Sequence, residues 1–244
     1  MTVTATPDEG YELGSLTVTD RNGNTVTLTP KGENQYTFTM PSGPVTISAS
    51  FRPAGSGTGL PFVDVAGSDW FYDAVAYVYQ NGLMAGTSAT TFEPNEDLTR
   101  AMMVTVLWAM EGGPVVNYRM DYDDVSDSDW YAEAVRLGTS EGVVNGVGDN
   151  RFDPDRSITR EEMAVMLYAY AVRKGYDVSI GEDTNILSYA DALEVSEWAI
   201  PAMQWACGSG VIGGKPGGVL DPTGTATRAE VATILRNFHQ TFAE

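Results

Sequence analysis

Ile158-Thr159-Arg160-Glu161-Glu162-Met163-Ala164-Val165-Met166-Leu167 is the stretch whose reading decides the fold. A threonine followed three positions later by glutamate is a capping box. The Thr159 hydroxyl accepts from the third helical amide, and Glu162 reaches back to the Thr159 amide. Beyond the box, Met163, Met166, Leu167 and Tyr170 fall at i, i+3, i+4 and i+7, one apolar stripe along a helix. The pattern recurs. Thr227-Arg228-Ala229-Glu230 opens a helix carrying Val231, Ile234, Leu235 and Phe238, and Thr99-Arg100-Ala101-Met102 opens one carrying Met103, Val106, Leu107 and Met110. In that copy Met102 stands where the box needs glutamate, so Thr99 caps alone and the helix start is expected to fray slightly. Three apolar stripes need a common place to hide, and the compact solution is a central three-helix bundle, one helix from each copy.

Working outward, the copies align without ambiguity. Trp70, Trp130 and Trp198 each lie 30 positions before Arg100, Arg160 and Arg228. Between them, in step, come Gly82, Gly142 and Gly210, then Gly86, Gly146 and Gly214, then Phe92, Phe152 and Leu220, then Pro94, Pro154 and Pro222. Self-similarity at a fixed period is the signature of a repeat architecture. Eight extra residues precede the third copy, around Gly175 to Leu187, and read as a polar loop insertion. A shorter helix is expected to begin just before each Trp and to end at Asn81-Gly82, Glu141-Gly142 and Ser209-Gly210, where glycine takes the left-handed conformation that closes a helix. The repeats are bounded at 61–118, 119–186 and 187–244.

Residues 1–52 have a different texture. Ser15 to Thr19, Thr25 to Thr29 and Val45 to Ala49 alternate polar and apolar residues, as short half-buried strands do, and Asn22-Gly23 supplies a tight turn. They read as a small all-β module, grasp-like or sandwich-like. Residues 53–60, rich in glycine and serine, read as a flexible linker.

Composition bounds the partners. A formal net charge of −19 argues against nucleic acid and anionic membranes, which are bound by clustered Lys and Arg. No apolar run spans a bilayer. Cys207 is the only cysteine, so no internal disulfide forms, and it reads as a small core residue. The N-terminus lacks the features of a signal peptide, which together with the repeats suggests a piece of a longer secreted protein with its cargo upstream.

Phe62-x-Asp64, Asp69-Trp70, Gly82-Leu-Met-Ala-Gly86, Phe92-x-Pro94 and Leu98-Thr99-Arg100-Ala101 together resemble the S-layer homology repeat. Tyr122-x-Asp124 through Ile158-Thr-Arg-Glu-Glu162 is similar, and so is the third copy, though Tyr189-x-Asp191 lies one residue further from its Trp, Leu220 replaces the aromatic and Pro201 enters the first helix. The resemblance covers residues 61 to 240. It implies a multi-domain protein whose mainly α part is a pseudo-threefold spindle, secreted and held at the bacterial cell wall or S-layer without catalysing a reaction. Grooves between repeats would bind secondary cell-wall polysaccharide, often through a pyruvylated sugar, with peptidoglycan as the alternative wall partner. It carries the polymer-contacting arginine onto Arg100, Arg160 and Arg228, the aromatic position onto Trp70, Trp130 and Trp198, the acidic one onto Asp64, Asp124 and Asp191, and the groove glycines onto Gly86, Gly146 and Gly214. Gly10-Tyr11 and Tyr36-Thr-Phe-Thr-Met-Pro41 resemble the small β repeats of bacterial surface proteins, of the InlB B-repeat type, which act as spacers.

These residue types suit the chemistry. A pyruvate ketal presents a carboxylate, which arginine meets with a planar fork of donors. Position one of a helix adds the dipole and free amides. Replacing Arg160 by alanine is therefore expected to weaken wall binding without unfolding the chain. Other roles compete for the same residues. Each Trp can anchor its helix or stack on a sugar, the aspartates can fix loops, and glycines serve turns. Thr99, Thr159, Glu162, Thr227 and Glu230 are explained as helix caps. A hydrolase needs a nucleophile beside a base, and the sole histidine, His239, lies near the end of the last helix and is expected to face solvent. No cofactor is implied. Two alternatives remain. One is a carbohydrate-active enzyme, since a glycosidase needs two carboxylates across a cleft and acidic residues are plentiful, although the recurrent ones have cap roles. The other is a calcium-dependent structural or adhesion module, through Asp149, Asp153 and Asp155 or Asp121, Asp123, Asp124, Asp127 and Asp129, with weak calcium binding. An EF-hand loop is contradicted by Arg151 and Pro154 at its third and sixth places.

Overall fold

The computed structural model describes residues 1–7, 11–21, 23–32, 34–53 and 60–243. Most of the stretch read as a linker, residues 54–59, lies outside them, as do Gly10 and Asn22. The chain forms two compact units, Met1–Tyr72 with Ser88–Phe92, and Asp73–Thr87 with Glu93–Glu244. The first is a small strand region and the second is mostly helical.

In the first unit, β1 (Thr2–Thr4), β4 (Gln35–Thr37) and β3 (Thr29–Gly32) form one antiparallel sheet in that order, and β2 (Tyr11–Asp20) pairs with β5 (Val45–Pro53) in a second. The register of β2 and β5 runs from Tyr11↔Pro53 to Asp20↔Val45, with an irregularity between Leu13 and Ser15. The turn after β2 is closed by Gly23, at φ +83°, whose amide donates to Asp20 O at 3.0 Å. The reading of Thr25 to Thr29 as a returning strand is corrected. Past the turn, the described residues show a Thr19↔Thr25 bridge, a 2.9 Å bond from the Asp20 amide to Asn24 O and a 2.8 Å bond from the Val26 amide to Val18 O, but no continued strand. Regular pairing starts at Thr29, where the chain turns to β4 instead (Thr29↔Thr37), and Pro30 has no amide to extend a ladder with β2. Further along this unit Phe62 and Val65 are buried, and the Phe62 ring lies 5.4 Å from that of Phe92.

The helical part contains α1 (Tyr72–Gln80), α2 (Arg100–Met110), α3 (Ala132–Ser140), α4 (Arg160–Lys174), α5 (Ile200–Gly208) and α6 (Arg228–Phe242). The short helices begin after their Trp rather than before it. Asp69 and Asp129 accept from the amides of Ala66 (2.7 Å) and Ser126 (2.8 Å), so the chain is held in a turn through the Trp and turns helical only beyond it. In the third copy a single 3₁₀ turn, Glu197–Ala199, carries Trp198, and Pro201 sits in the first turn of α5, where a missing amide costs nothing. Gly82, Gly142 and Gly210 have φ of +68°, +68° and +75° and end these helices as the sequence leads one to expect. The insertion is more than a solvated loop. After Gly175 closes α4, a 3₁₀ turn, Ser179–Gly181, packs on α5 so closely that a Cβ on Gly181 would lie 3.1 Å from the Trp205 backbone.

The apolar stripes of α2, α4 and α6 are buried, Met110 excepted, which is half-exposed. Just ahead of these helices the three copies join in a closed ring. The Leu98 amide donates to Ala226 O (3.0 Å), Ile158 to Leu98 O (2.9 Å) and Ala226 to Ile158 O (3.4 Å). One step on, the first amide of each helix donates to the neighbouring copy: Arg100 to Arg156 O, Arg160 to Gly224 O and Arg228 to Glu96 O, at 2.8–3.0 Å. The second amides of α2, α4 and α6 reach Pro154 O, Pro222 O and Pro94 O, each at 2.9 Å. Helix starts normally leave such donors unpaired, and here the next repeat satisfies them. This ring also explains why α2, which has only the Thr99 cap because Met102 cannot complete the box, starts in register with α4 and α6.

Candidate functional site

Arg100, Arg160 and Arg228 are buried, at 4%, 3% and 6% exposure, and each reaches into the loop of the next repeat. Arg100 Nε donates to Phe152 O (2.9 Å) and Nη2 to Asn145 O (2.9 Å), with the guanidinium 4.8 Å over the Phe152 ring. Arg160 does the same with Leu220 O (2.7 Å) and Gly213 O (2.8 Å), and Arg228 Nη2 donates to Ala85 O (2.8 Å). Two features expected from sequence are thereby corrected. The leading helix amides are not free for an anion, since carbonyls of the adjacent repeat hold them. Nor do Arg100 and Arg160 present an open fork, because two of their three nitrogens bind loop carbonyls. In Arg100 the remaining nitrogen, Nη1, contacts Glu162 Oε1 at 3.3 Å.

The aspartates are loop fasteners. Asp124 accepts from the amides of Phe152 and Asp153 (both 2.8 Å), Asp191 from Leu220 and Asp221 (2.7 and 2.6 Å), and Asp64 from Phe92 (2.9 Å). Burial alone would raise the Asp124 and Asp191 carboxyls, yet these amide bonds hold both below the ordinary aspartate value. Gly146 and Gly214 are demanded by close approach. A Cβ would fall 2.7 Å from Arg151 O and from Tyr122 Cε1 in the first case, and 2.5 Å from Tyr189 Cε1 in the second. Gly86 is half-buried in the corresponding turn of the first copy.

The tryptophans settle on the surface. Trp70, Trp130 and Trp198 are 69%, 64% and 58% exposed, and the rings of Trp70 and Trp130 stand edge-on to Phe71 and Tyr131. Trp198 lines a groove of about 410 Å³ with Arg100, Asn145, Gly146, Arg156 and Glu162, so all three repeats contribute to it. A half-exposed guanidinium, an exposed indole and backbone carbonyls form a wall suited to a hydroxylated, acidic ligand.

Sequence reasoning missed Arg156. Its Nη1 and Nη2 donate to Glu162 at 3.1 and 2.6 Å, and its Nε to Asp153 at 3.0 Å. The signal was available only as a basic residue near a capping box. Glu162 also completes the box, accepting from the Thr159 amide at 3.1 Å. Burial would raise its carboxyl, but Arg156, the Thr159 amide and Arg100 outweigh that and hold it below the ordinary value of 4.5. A group depressed in the folded state contributes stability above 4.5 and loses it as pH falls through the lowered value. Glu162→Gln is therefore expected to melt about 5 °C below wild type at pH 7, from a loss of about 2 kcal/mol, and to show a smaller gap at pH 3, below the ordinary glutamate value. Melts at both pH values check this; a gap that is constant with pH would contradict it.

His239 is half-buried rather than solvent-facing, with Nδ1 2.8 Å from the Tyr77 hydroxyl and its ring edge-on to that of Tyr77. Cys207 is half-buried rather than core, and burial pushes its thiol up to about 11, far from a reactive thiolate. Among the described residues no group of three or more His, Cys, Asp or Glu side chains is placed to hold a metal ion, and no helix is long and apolar enough to cross a membrane.

Fold and grooves thus define a module of three tandem helix–loop–helix repeats, each repeat's second helix clasping the loop of the next. Residues 61–102, 121–164 and 188–232 match the S-layer homology domain, and the chain belongs to that family. Residues 1–55 match the divergent InlB B-repeat domain. The chain is 29% identical over 93% of its length to an exoglucanase XynX of Acetivibrio thermocellus, 32% over 68% to an amylopullulanase of Thermoanaerobacterium thermosulfurigenes, and 28% over 75% to the S-layer protein sap of Bacillus anthracis. It spans 20%, 9% and 22% of those proteins, and the enzyme names belong to the whole multidomain chains. Family and relatives place the protein at the bacterial cell surface, associated with the wall.

Proposed function

We propose that this chain anchors a secreted protein non-covalently by binding secondary cell-wall polysaccharide, through an acidic, pyruvate-bearing sugar, in the grooves where one repeat's second helix meets the loop of the next. The observation that carries the reading is the groove over Arg100, where a buried arginine edge, the Asn145-Gly146 backbone and the exposed Trp198 converge from three repeats. By the repeat pattern, Arg160 over the Gly213-Gly214 turn and Arg228 over the Ala85-Gly86 turn serve the corresponding places, and Trp70 and Trp130 are the aromatic positions of their own repeats. Asp64, Asp124 and Asp191 and the glycines Gly86, Gly146 and Gly214 act as the scaffold that shapes each groove. In this reading the repeats at 61–118, 119–186 and 187–244 form a pseudo-threefold spindle around a bundle of α2, α4 and α6. The closed ring of hydrogen bonds ahead of those helices supports it. The module at 1–52 and the segment 53–60 are spacer and linker to cargo, and no reaction is assigned to any of them.

Co-sedimentation with cell-wall sacculi tests the proposal. The chain is expected to pellet with native sacculi and to remain soluble with sacculi stripped of their secondary polymer. Equal binding to both would show peptidoglycan to be the partner instead.

A further inference from the structure

We infer that the chain carries two grooves selective for an acidic sugar rather than three equivalent ones, each completed by a second cation that the repeat pattern does not supply: Arg156 beside Arg100, and Lys215 beside Arg160. The inference rests on the acidic-sugar reading above and specifies which grooves serve it.

In the first groove Arg156 spans two carboxylates, the box glutamate Glu162 (2.6 Å) and the turn aspartate Asp153 (3.0 Å). In the second, Lys215 Nζ spans Glu230 (3.3 Å) and Asp221 (2.8 Å). Glu230 and Asp221 occupy in the third repeat the places of Glu162 and Asp153 in the second. The cations, however, come from different places. Arg156 corresponds to Gly224, and Lys215 corresponds to Val147. One arrangement of charges is thus built twice by separate routes, which simple copying of a repeat does not produce.

The groove of Arg228 is built differently. Met102 stands at the place of the box glutamate, and the two places that supplied cations are Glu96 and Thr87. At the places compared, that groove has Arg228 as its one cation, and Glu96 stands where Arg156 stands in the first. In a chain of net charge −19 the long-range field repels an acidic polymer, so attraction must come from local cations placed against the ligand. Arg156 is 36% exposed and lines the groove beside Trp198, so it can exchange part of its contact with Glu162 for an incoming carboxylate. Lys215, 26% exposed, is free to do the same with a less directional ammonium.

The test uses the whole chain and, as probe, a methyl glycoside bearing a pyruvate ketal, with its methyl ester as the uncharged control, in isothermal titration. Wild type is expected to bind two probes per chain and to discriminate against the ester. Arg156→Gln and Lys215→Gln should each weaken one site at least about tenfold and so leave one site at wild-type affinity, and the double variant should lose both. Arg156→Lys and Lys215→Arg should restore the lost site, which a merely structural loss would not allow. Melting curves confirm that the glutamine variants are folded. One or three sites in wild type, or two sites kept by the double variant, would overturn the inference while leaving the acidic-sugar reading standing. No binding by wild type, or equal binding of acid and ester, would overturn that reading and the inference with it.

Discussion

Arg160→Ala is expected to lower the melting temperature by about 10 °C, contrary to the simpler expectation that a ligand-facing arginine can be removed without harm to the fold. The side chain is buried and donates to Leu220 O at 2.7 Å and Gly213 O at 2.8 Å. Removing it leaves two loop carbonyls without their charged donor, together with a cavity, for a loss of roughly 3 kcal/mol. In a domain of this size each kcal/mol moves the midpoint by about 2–4 °C. Burial pulls the guanidinium pKa down, although the charges of Glu230 and Asp221 act in the opposite direction. Arg160→Lys should recover only part of the loss, because one ammonium cannot reproduce the planar pair of donors. Calorimetry checks both variants, and a shift under about 2 °C for alanine would show that the arginine does not hold the loop. The functional corollary is that wall binding falls with it, through a loosened Gly213-Gly214 turn as well as through a lost charge.

Trp198→Ala should have the opposite profile, weakening binding to native sacculi by at least about tenfold while the melting temperature stays within about 2 °C of wild type. The indole is 58% exposed and lines the Arg100 groove, so little buried packing is lost with it. Stacking of a flat ligand face on an aromatic ring is worth about 1–3 kcal/mol where it has been measured for bases. Quantitative co-sedimentation together with a thermal melt separates the two effects. Unchanged binding would remove Trp198 from the site, and a large drop in melting temperature would return it to a structural role. Trp70 and Trp130, equally exposed, extend the same measurement to the other repeats.

Much of this architecture is legible in local sequence because it is locally determined. The capping boxes at Thr159 and Thr227 form with both reciprocal bonds, and Gly82, Gly142 and Gly210 end their helices in the left-handed region. Periodicity likewise picks out the buried stripes. What sequence does not contain is which backbone groups meet when the three copies close on one another. That closure gives the leading amides and the arginines their carbonyl partners, and it turns residues suited to an open anion site into clasps. The β region shows the same limit from another side, since alternation marks Val26 as strand-like but cannot say that the regular ladder waits until Thr29 finds Thr37. The Trp residues were ambiguous for a related reason. A helix start two residues after the Trp instead of just before it, fixed by the Asp69 and Asp129 turns, turns an indole that could have been core out into solvent.

The most direct measurement is a crystal structure of the chain with a short, pyruvate-bearing fragment of the wall polymer. The ketal carboxylate should lie within hydrogen-bond distance of Arg100 Nη1 or Arg156, with a sugar face against Trp198. A fragment seated elsewhere, for instance in the cleft of about 290 Å³ lined by Val104, Trp108, Leu137 and Tyr170, would contradict the account.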